Sequence, residues 1–96
     1  MRDDRFLYVV AYDVPDDRRR ARLAASLQNF MPRVQYSLFE GPLTDVLIKR
    51  VRHRIDEICD PHEDAVRIYR LCSQCEEMIE AIGGKPPPDR ASFVII

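Results

Sequence analysis

A single carboxylate, Asp13, stands at the end of a short apolar run and is followed closely by arginines. The run covers residues 6–12, and three arginines occupy positions 18–20. A carboxylate is a ligand that divalent cations such as Mg²⁺ prefer, and the guanidinium fork of arginine matches the oxygens of a phosphate group. The combination predicts metal-assisted chemistry on a phosphate ester.

One carboxylate makes a poor metal site, because Mg²⁺ usually takes one or two carboxylates together with water and phosphate oxygens. Two copies of Asp13, facing each other across a two-fold axis, would supply the pair. The metal would polarise a phosphoryl oxygen and lower the pKa of a bound water. Charge on the phosphate would be stabilised by Arg20, Arg22 and Arg33. Asp16 and Asp17 are alternative ligands, although helix capping is expected to engage their oxygens.

The arginines lie in the first turns of a predicted helix, where the positive end of the helix dipole disfavours cations. One interpretation is a solvated face neutralised by Asp16 and Asp17. The other, which we favour, is an anion site, since phosphate binds well at a helix N-terminus beside arginine. The helical repeat places Arg19 and Arg20 beside the apolar stripe, near the sheet, and Arg18 and Arg22 on the face away from it.

The other residues capable of chemistry form no recognisable set. Cys72 and Cys75 are half of a zinc site, and neither Cys59 nor His62 stands at a zinc spacing. A redox pair would normally open a helix in a different setting, so we expect neither role. His53 and His62 are expected at the surface. The sequence contains no Ser-His-Asp set, glycine-rich phosphate loop or Rossmann fingerprint.

Strands and helices alternate along the chain. Phe6–Tyr12 is predicted to be a central strand buried on both faces. A helix should begin at Asp16 or Asp17 and end near Gln28. Val34–Leu43 is predicted to form one bent strand or two, with a break at Gly41–Pro42. A second helix is predicted over Asp45–Cys59, capped by Thr44. A strand should follow over Ala65–Leu71, and then another strand or an irregular edge over Glu76–Ile82.

This order of elements predicts an α+β plait, a ferredoxin-like βαββαβ sheet with its helices on one side. We expect residues 1–82 to form that domain and residues 83–96 to form a proline-rich tether followed by an extra C-terminal strand. An unpaired apolar strand invites aggregation. The strand is therefore expected to be exchanged with the partner protomer of a two-fold homodimer.

The composition is that of one small globular domain, with 96 residues, 46% of them hydrophobic, and a net charge of −1. Disorder, a membrane span and a cleaved signal peptide are not expected, which makes the cytoplasm the default location. The net charge counts modestly against a nucleic-acid partner. All 15 basic residues except Lys49 and Lys85 are arginines, as either phosphate binding or a GC-rich genome would produce.

Nearly the whole chain follows one known pattern. Its blocks are VAYDVPDDRRR at residues 10–20, RVQYSLFEG at 33–41, and Asp60-Pro61 leading to DAVRIYRL at 64–71. Together they resemble the Cas-two family of CRISPR adaptation proteins. The resemblance implies a ferredoxin-like homodimer with swapped C-terminal strands, and a nuclease dependent on a divalent metal such as Mg²⁺ that acts on RNA or double-stranded DNA. The metal aspartate of the family falls on Asp13, and its other implicated positions fall on Tyr12, Arg20, Arg22, Arg33 and Phe39.

The resemblance also implies a second role. In that role the dimer bridges two dimers of the Cas-one integrase and holds a short DNA duplex before its insertion as a spacer, so that cleavage is dispensable. The arginine-rich helix would then grip the duplex through Arg18, Arg19 and Arg22. The residues alone do not rank the two roles. The Cys72/Cys75 pair departs from the family pattern.

Overall fold

A computed structural model describes residues 4–83, which form a four-stranded antiparallel sheet with its two longer helices on one face. The strands are ordered β2-β3-β1-β4, the ferredoxin-like order that the sequence predicts. The elements are β1 (Phe6–Asp13), α1 (Asp17–Leu27), β2 (Arg33–Gln35), β3 (Leu38–Leu43), α2 (Asp45–Ile58), β4 (Ala65–Leu71) and α3 (Ser73–Glu77). The predicted tether and the exchanged strand at residues 92–96 lie outside the described residues.

Strand β1 is central, as predicted, and pairs with β3 on one side and β4 on the other. The prediction that both of its faces are buried is wrong for residues 4–83. Burial alternates, with Tyr8, Val10 and Tyr12 buried and the residues between them only half-buried. The helices cover one face, and side chains of successive strand residues point to opposite faces. We call the uncovered side the open face.

Helix α1 begins where its capping residue predicts. The Asp16 carboxylate accepts a hydrogen bond from the backbone N–H of Arg19 at 2.9 Å, which satisfies a donor of the first turn. Leu23 and Leu27 of its apolar stripe are completely buried against the sheet. Helix α2 begins in the same way after Thr44, and its stripe closes the core with Ile48, Val51, Ile55 and Ile58.

The segment over residues 33–43 forms two strands, with a register irregularity between Arg33 and Gln35. The predicted break at Gly41–Pro42 is wrong, because β3 continues to Leu43. Proline lacks an N–H donor and fits a sheet where that donor would face a free edge. The Glu40 N–H points toward β2 and bonds the Pro32 carbonyl at 3.2 Å. Pro42, two residues on, points the same way beyond the end of β2.

Gly41 lets the connection between α1 and β2 lie directly on β3. A Cβ atom at position 41 would stand 2.9 Å from the Met31 Cβ and 3.2 Å from the Pro32 Cδ. Both distances are shorter than ordinary carbon contacts. The glycine therefore permits a close approach that a side chain would prevent.

Strand β4 has the predicted bounds, but the chain after it differs from the prediction. A strand over Glu76–Ile82 is not formed, and a short helix, α3, covers Ser73–Glu77. Helix α3 buries none of its residues, so it lacks the apolar periodicity from which a helix is predicted. Residues 79–82 are irregular, which was the alternative expectation. Within residues 4–83, no helix has the length and apolar character needed to cross a membrane.

Candidate functional site

Asp13 is the last residue of β1, and its exposed side chain lies on the open face. It shares that face with Leu7, Val9 and Ala11, because every second residue of a strand points the same way. Among residues 4–83, no hydrogen-bond or ion-pair partner engages its carboxylate. The oxygens of Asp13 are therefore available to a ligand.

A depression of about 290 Å³ lies at this end of the sheet. It gathers four of the residues that the sequence singles out, namely Tyr12, Asp13, Arg20 and Arg33. The remaining lining residues are Val14, Pro15, Tyr36 and Ser37. One carboxylate, two arginines and two tyrosines thus line a single depression, from elements that are separated in sequence.

The carbonyl oxygen of Tyr36 holds two of these side chains in place. It accepts hydrogen bonds from Arg33 Nε at 3.0 Å and Arg33 Nη2 at 2.7 Å, and from Tyr12 Oη at 3.2 Å. Tyr36 lies in the turn between β2 and β3, and its own ring is 89% exposed. The backbone of this turn therefore sets the positions of Arg33 and Tyr12.

Phe39 supports the depression from below and does not line it. Its side chain is 0% exposed. Its ring stacks on Tyr12 with centroids 6.2 Å apart, and the Arg33 guanidinium carbon lies 5.6 Å from its centroid. A cation at this distance from a ring is attracted by the electrons of its face. Phe39 can therefore affect the site only by positioning Arg33 and Tyr12.

Arg20 is turned toward the strand end, as the helical repeat predicts. Its Nη1 donates to the carbonyl oxygens of Val14 at 3.0 Å and Pro15 at 3.3 Å, and its Nη2 pairs with Asp17. These contacts hold the guanidinium at the end of β1, where Arg20 and Asp13 line the same depression. A second depression of about 390 Å³, along α1, is lined by both Arg20 and Arg33.

Arg19 is committed to contacts within the chain. Its Nε donates to Asp64 at 2.8 Å and its Nη2 to Glu63 at 3.2 Å, which tie α1 to the loop before β4. The Asp64 side chain is 0% exposed. The hydrogen bond from Arg19 holds the pKa of Asp64 below its ordinary value, and the bond to Asp64 raises the pKa of Arg19.

Arg18 and Arg22 lie on the outward side of α1, as predicted, and both are exposed. Neither lines the depression at Asp13. Within the described part of the chain, neither is engaged by an acidic side chain. The five-residue basic stretch therefore divides into two inward arginines with internal partners and two outward arginines that face solvent.

No three metal-ligating side chains converge anywhere in residues 4–83. The alternative ligands are engaged, since Asp16 caps α1 and Asp17 pairs with Arg20. Of the residues the structure describes, Asp13 is the only acidic one that lines this depression. Residues 4–83 of one chain therefore offer a metal a single carboxylate there.

Neither histidine approaches this site. His53 Nε2 lies 3.7 Å from Glu57 on α2, and His62 is exposed in the loop before β4. Cys72 and Cys75 follow β4, at the opposite end of that strand from Ala65, the register partner of Asp13. The predicted surface positions of both histidines are confirmed.

Sequence reasoning missed two residues that shape the site. Tyr36 acts through its carbonyl, which every residue has, so no residue type could reveal it. Asp64 pairs with an arginine 45 positions away. The sequence could suggest a structural role for Asp64 only because it closes the turn over Asp60–Asp64. It could not show which arginine Asp64 contacts, because that depends on the fold.

By its fold the protein is a small α+β protein with a ferredoxin-like sheet. At the end of the central strand, one carboxylate and two arginines form a candidate site for phosphate chemistry. The particular family follows from sequence. The chain belongs to the Cas2 family, because the family model described as "CRISPR associated protein Cas2" matches residues 6–79.

Relatives from two bacteria cover most of the chain. A protein of Chloroflexus aurantiacus named "CRISPR-associated endoribonuclease Cas2 1" is 37% identical over 93% of this chain and 97% of its own. A protein of Thermus thermophilus named "CRISPR-associated endonuclease Cas2 2" is 42% identical over 86% of this chain and 88% of its own. The names of both relatives describe endonucleases.

Solved structures agree with the fold. Streptococcus pyogenes Cas2 superimposes with a TM-score of 0.71 at 28% identity, over 80% of this chain and 99% of its own. A chain from a structure titled "Partial Cas6-RT-Cas1--Cas2 complex" superimposes with a TM-score of 0.68 at 28% identity, over 84% of this chain and 94% of its own. The ferredoxin-like prediction is confirmed.

Proposed function

We propose that the chain is a Mg²⁺-dependent endonuclease of CRISPR adaptation that acts as a homodimer on RNA or double-stranded DNA. The observation that carries the proposal is the depression in which Asp13 meets Arg20 and Arg33. The relatives named as endonucleases support it. The proposed location is the cytoplasm, where such a substrate is found.

The open face supports the homodimer. It presents apolar side chains from three adjacent strands, with Glu40 and Arg67 among them, and a largely apolar surface with a few polar groups is typical of an interface. Its apolar residues are Leu7, Val9, Ala11, Leu38, Pro42, Tyr69 and Leu71. Asp13 lies on the same face, so a two-fold axis that passes close to this end of β1 would bring two Asp13 side chains toward each other.

The donor set fits Mg²⁺ only in such a dimer. Two Asp13 carboxylates with water and phosphate oxygens are ligands that Mg²⁺ accepts, whereas one chain supplies a single carboxylate. The metal would polarise the phosphoryl oxygen and lower the pKa of a bound water. Arg20 and Arg33 then stabilise negative charge on the phosphate, and Phe39 and the Tyr36 carbonyl hold Arg33 in position.

Arg22, which the resemblance implies as a site residue, would act differently from Arg20 and Arg33. Its outward position suits a phosphate further along a bound strand, because it does not line the depression. Tyr12 would orient the site through its hydroxyl, which is engaged by the Tyr36 carbonyl.

The test of the nuclease is Asp13→Ala in highly purified protein. Mg²⁺-dependent cleavage of single-stranded RNA and double-stranded DNA should be lost, because the metal loses its protein ligand. Asp56→Ala, which removes another exposed carboxylate on α2, should cleave normally. Cleavage retained by Asp13→Ala would assign the activity to a contaminant or to another site.

The second candidate function is a scaffold that bridges Cas-one integrase dimers and holds DNA. It is favoured by the similarity to a chain from a complex whose title includes Cas1 and Cas2, and by the exposed Arg18 and Arg22. In this role the outward arginines contact phosphates. Arg19 contributes by fixing α1 to the loop before β4, since Asp64 and Glu63 occupy its guanidinium.

The scaffold is tested with the double variant Arg18→Glu/Arg22→Glu. Double-stranded DNA should bind more weakly, and the salt dependence should fall by about 0.9 per lost phosphate contact on a log–log plot. The matched control is Arg50→Glu/Arg52→Glu on exposed positions of α2. Equal affinity in the two double variants would contradict DNA contact by α1. Spacer acquisition that survives Asp13→Ala would favour the scaffold over the nuclease.

A further inference from the structure

Two thiols lie together where the chain leaves β4. Cys72 follows Leu71, the last residue of the strand, and is the N-cap residue of α3, and Cys75 lies in the first turn of that helix. Their Sγ atoms are 3.4 Å apart. Both side chains are exposed, and neither forms a disulfide. The pair is thus open to small reagents in solution.

The geometry is close to that of a disulfide. Bridged sulfur atoms stand about 2.0 Å apart, so the two Sγ atoms need to approach by roughly 1.4 Å. Helix α3 buries none of its residues. Its first turn can therefore adjust to a bridge without disturbing the hydrophobic core.

The two thiols differ chemically. The backbone N–H and the thiol of Cys75 hold the pKa of Cys72 below its ordinary value, and interaction with Cys72 raises the pKa of Cys75. The thiolate is the attacking form of cysteine. Cys72 is therefore the nucleophile of the pair, and Cys75 is placed to attack the mixed disulfide that forms on Cys72. Burial raises the pKa of the half-buried Cys59, which makes it the least reactive of the three.

We propose that Cys72 and Cys75 form a reversible dithiol–disulfide site that reacts with a low-molecular-weight disulfide such as glutathione disulfide. The Cys72 thiolate attacks one sulfur of glutathione disulfide, which breaks its S–S bond and releases one glutathione thiolate. Cys75 loses its proton and attacks the Cys72 sulfur, which releases the second glutathione. Two protein thiols are oxidised to one disulfide, and one glutathione disulfide is reduced to two thiols.

The site is separate from the depression at Asp13. Leu71 pairs with Leu7 and Ala65 with Asp13, so the two sites lie at opposite ends of β1 and β4. Six residues of strand span about 20 Å. A redox effect at the pair can therefore be measured independently of nuclease activity, and this proposal does not rest on the proposed function.

In the test, the full-length protein is incubated with mixtures of oxidised and reduced glutathione. The reaction is then quenched with acid, free thiols are alkylated, and the peptides are analysed by mass spectrometry. The peptide that contains Cys72 and Cys75 should lose two hydrogen atoms as the oxidised fraction rises, and dithiothreitol should restore them. Cys59→Ser should behave identically. Cys75→Ser should accumulate one glutathione on Cys72, several-fold faster than Cys72→Ser accumulates it on Cys75.

Two results would overturn the proposal. One is a wild-type peptide that stays reduced, or carries stable glutathione adducts, under conditions in which Cys75→Ser becomes glutathionylated. The other is oxidation that appears only as a disulfide between two chains on a non-reducing gel. Equal rates for the two single-cysteine variants would contradict the assignment of Cys72 as the attacking thiol.

Discussion

The two faces of the sheet are formed by the same strands and serve different purposes. On the helix-covered face, Val10 and Phe39 are completely buried. On the open face, Leu7, Val9 and Ala11 are half-buried within residues 4–83. Successive residues of β1 thus divide the tasks, with Tyr12 completing the core and Asp13 facing outward. The covered face stabilises one chain, whereas the open face carries Asp13 and is the proposed surface for a second copy.

The largest expected effect is on the covered face. Phe39→Ala should lower the free energy of unfolding by about 3–5 kcal/mol, because it leaves a cavity beneath Tyr12 and Arg33. Urea denaturation measures the change. The control on the open face is Tyr69→Ala, which should cost about 0.5 kcal/mol at a dilution that keeps the chain monomeric. Equal losses would remove the distinction between the faces.

A charge introduced on the open face should weaken the proposed homodimer without unfolding the chain. Val9→Lys should raise the dissociation constant of the proposed homodimer about 100-fold or more, because two ammonium groups would lose their hydration in the interface, and Glu40 opposite each lysine would offset this cost only in part. Light scattering across a dilution series, with far-UV circular dichroism, separates dissociation from unfolding. Val46→Lys, at an exposed position on α2, should change neither. A dimer that persists in Val9→Lys would exclude this face as the interface.

A smaller effect tests how closely the covered face is packed. Gly41→Ala should cost about 1–3 kcal/mol, because its Cβ would meet the Met31 Cβ at 2.9 Å. Thermal and urea unfolding both report the loss. Ala65→Val adds two methyl groups at an exposed position of the open face and should change the monomer by about 0.5 kcal/mol at most. If position 41 tolerates alanine equally well, the close approach of Met31 is not needed.

The smallest effect concerns pH and has opposite signs at two acids. Burial on the open face raises the pKa of Glu40 above its ordinary value of 4.5. The folded state then holds that proton more tightly, so the contribution of Glu40 is present at low pH and is lost as pH rises through its folded pKa. Glu40→Gln should flatten the decline in stability above about pH 4.5. A decline that is just as steep in Glu40→Gln would assign it to another group.

At Asp64 the sign is reversed. The hydrogen bond from Arg19 lowers the pKa of Asp64 below 3.8. Its contribution is therefore present above pH 3.8 and is lost as pH falls through the folded pKa. Asp64→Asn should remove this acid-dependent loss, together with the stability that the pair contributes at neutral pH. Equilibrium unfolding between pH 2 and 7, repeated for Glu63→Gln as the control, measures both changes.

Local patterns predicted the elements that local interactions define. Thr44 and Asp16 marked the helix starts because a capping side chain bonds a backbone donor three residues away. The continuation of β3 through Pro42 could not be predicted in this way, because it depends on where the neighbouring strand β2 ends. Helix α3 was missed because it has no buried stripe.

The site was predicted in its residue types and only partly in its roles. Asp13 and Arg20 could be placed from the strand end and the helical repeat. The helical repeat also placed Arg19 near the sheet, but its partner Asp64 could not be predicted, because it lies 45 residues away. Phe39 came from a family resemblance, which names a position without saying whether it touches a ligand. Within residues 4–83 its side chain is completely buried beside Tyr12 and Arg33.

Tyr36 contributes to the site through an atom that mutation of its side chain does not remove. Three donors from Arg33 and Tyr12 converge on its carbonyl oxygen while its ring projects into solvent. Substitution of the residue at position 36 should therefore leave the geometry of the site unchanged. A deletion or insertion in the two-residue turn would move the carbonyl and displace both side chains at once. The geometry of this site thus depends more on the length of the turn between β2 and β3 than on which residue occupies position 36.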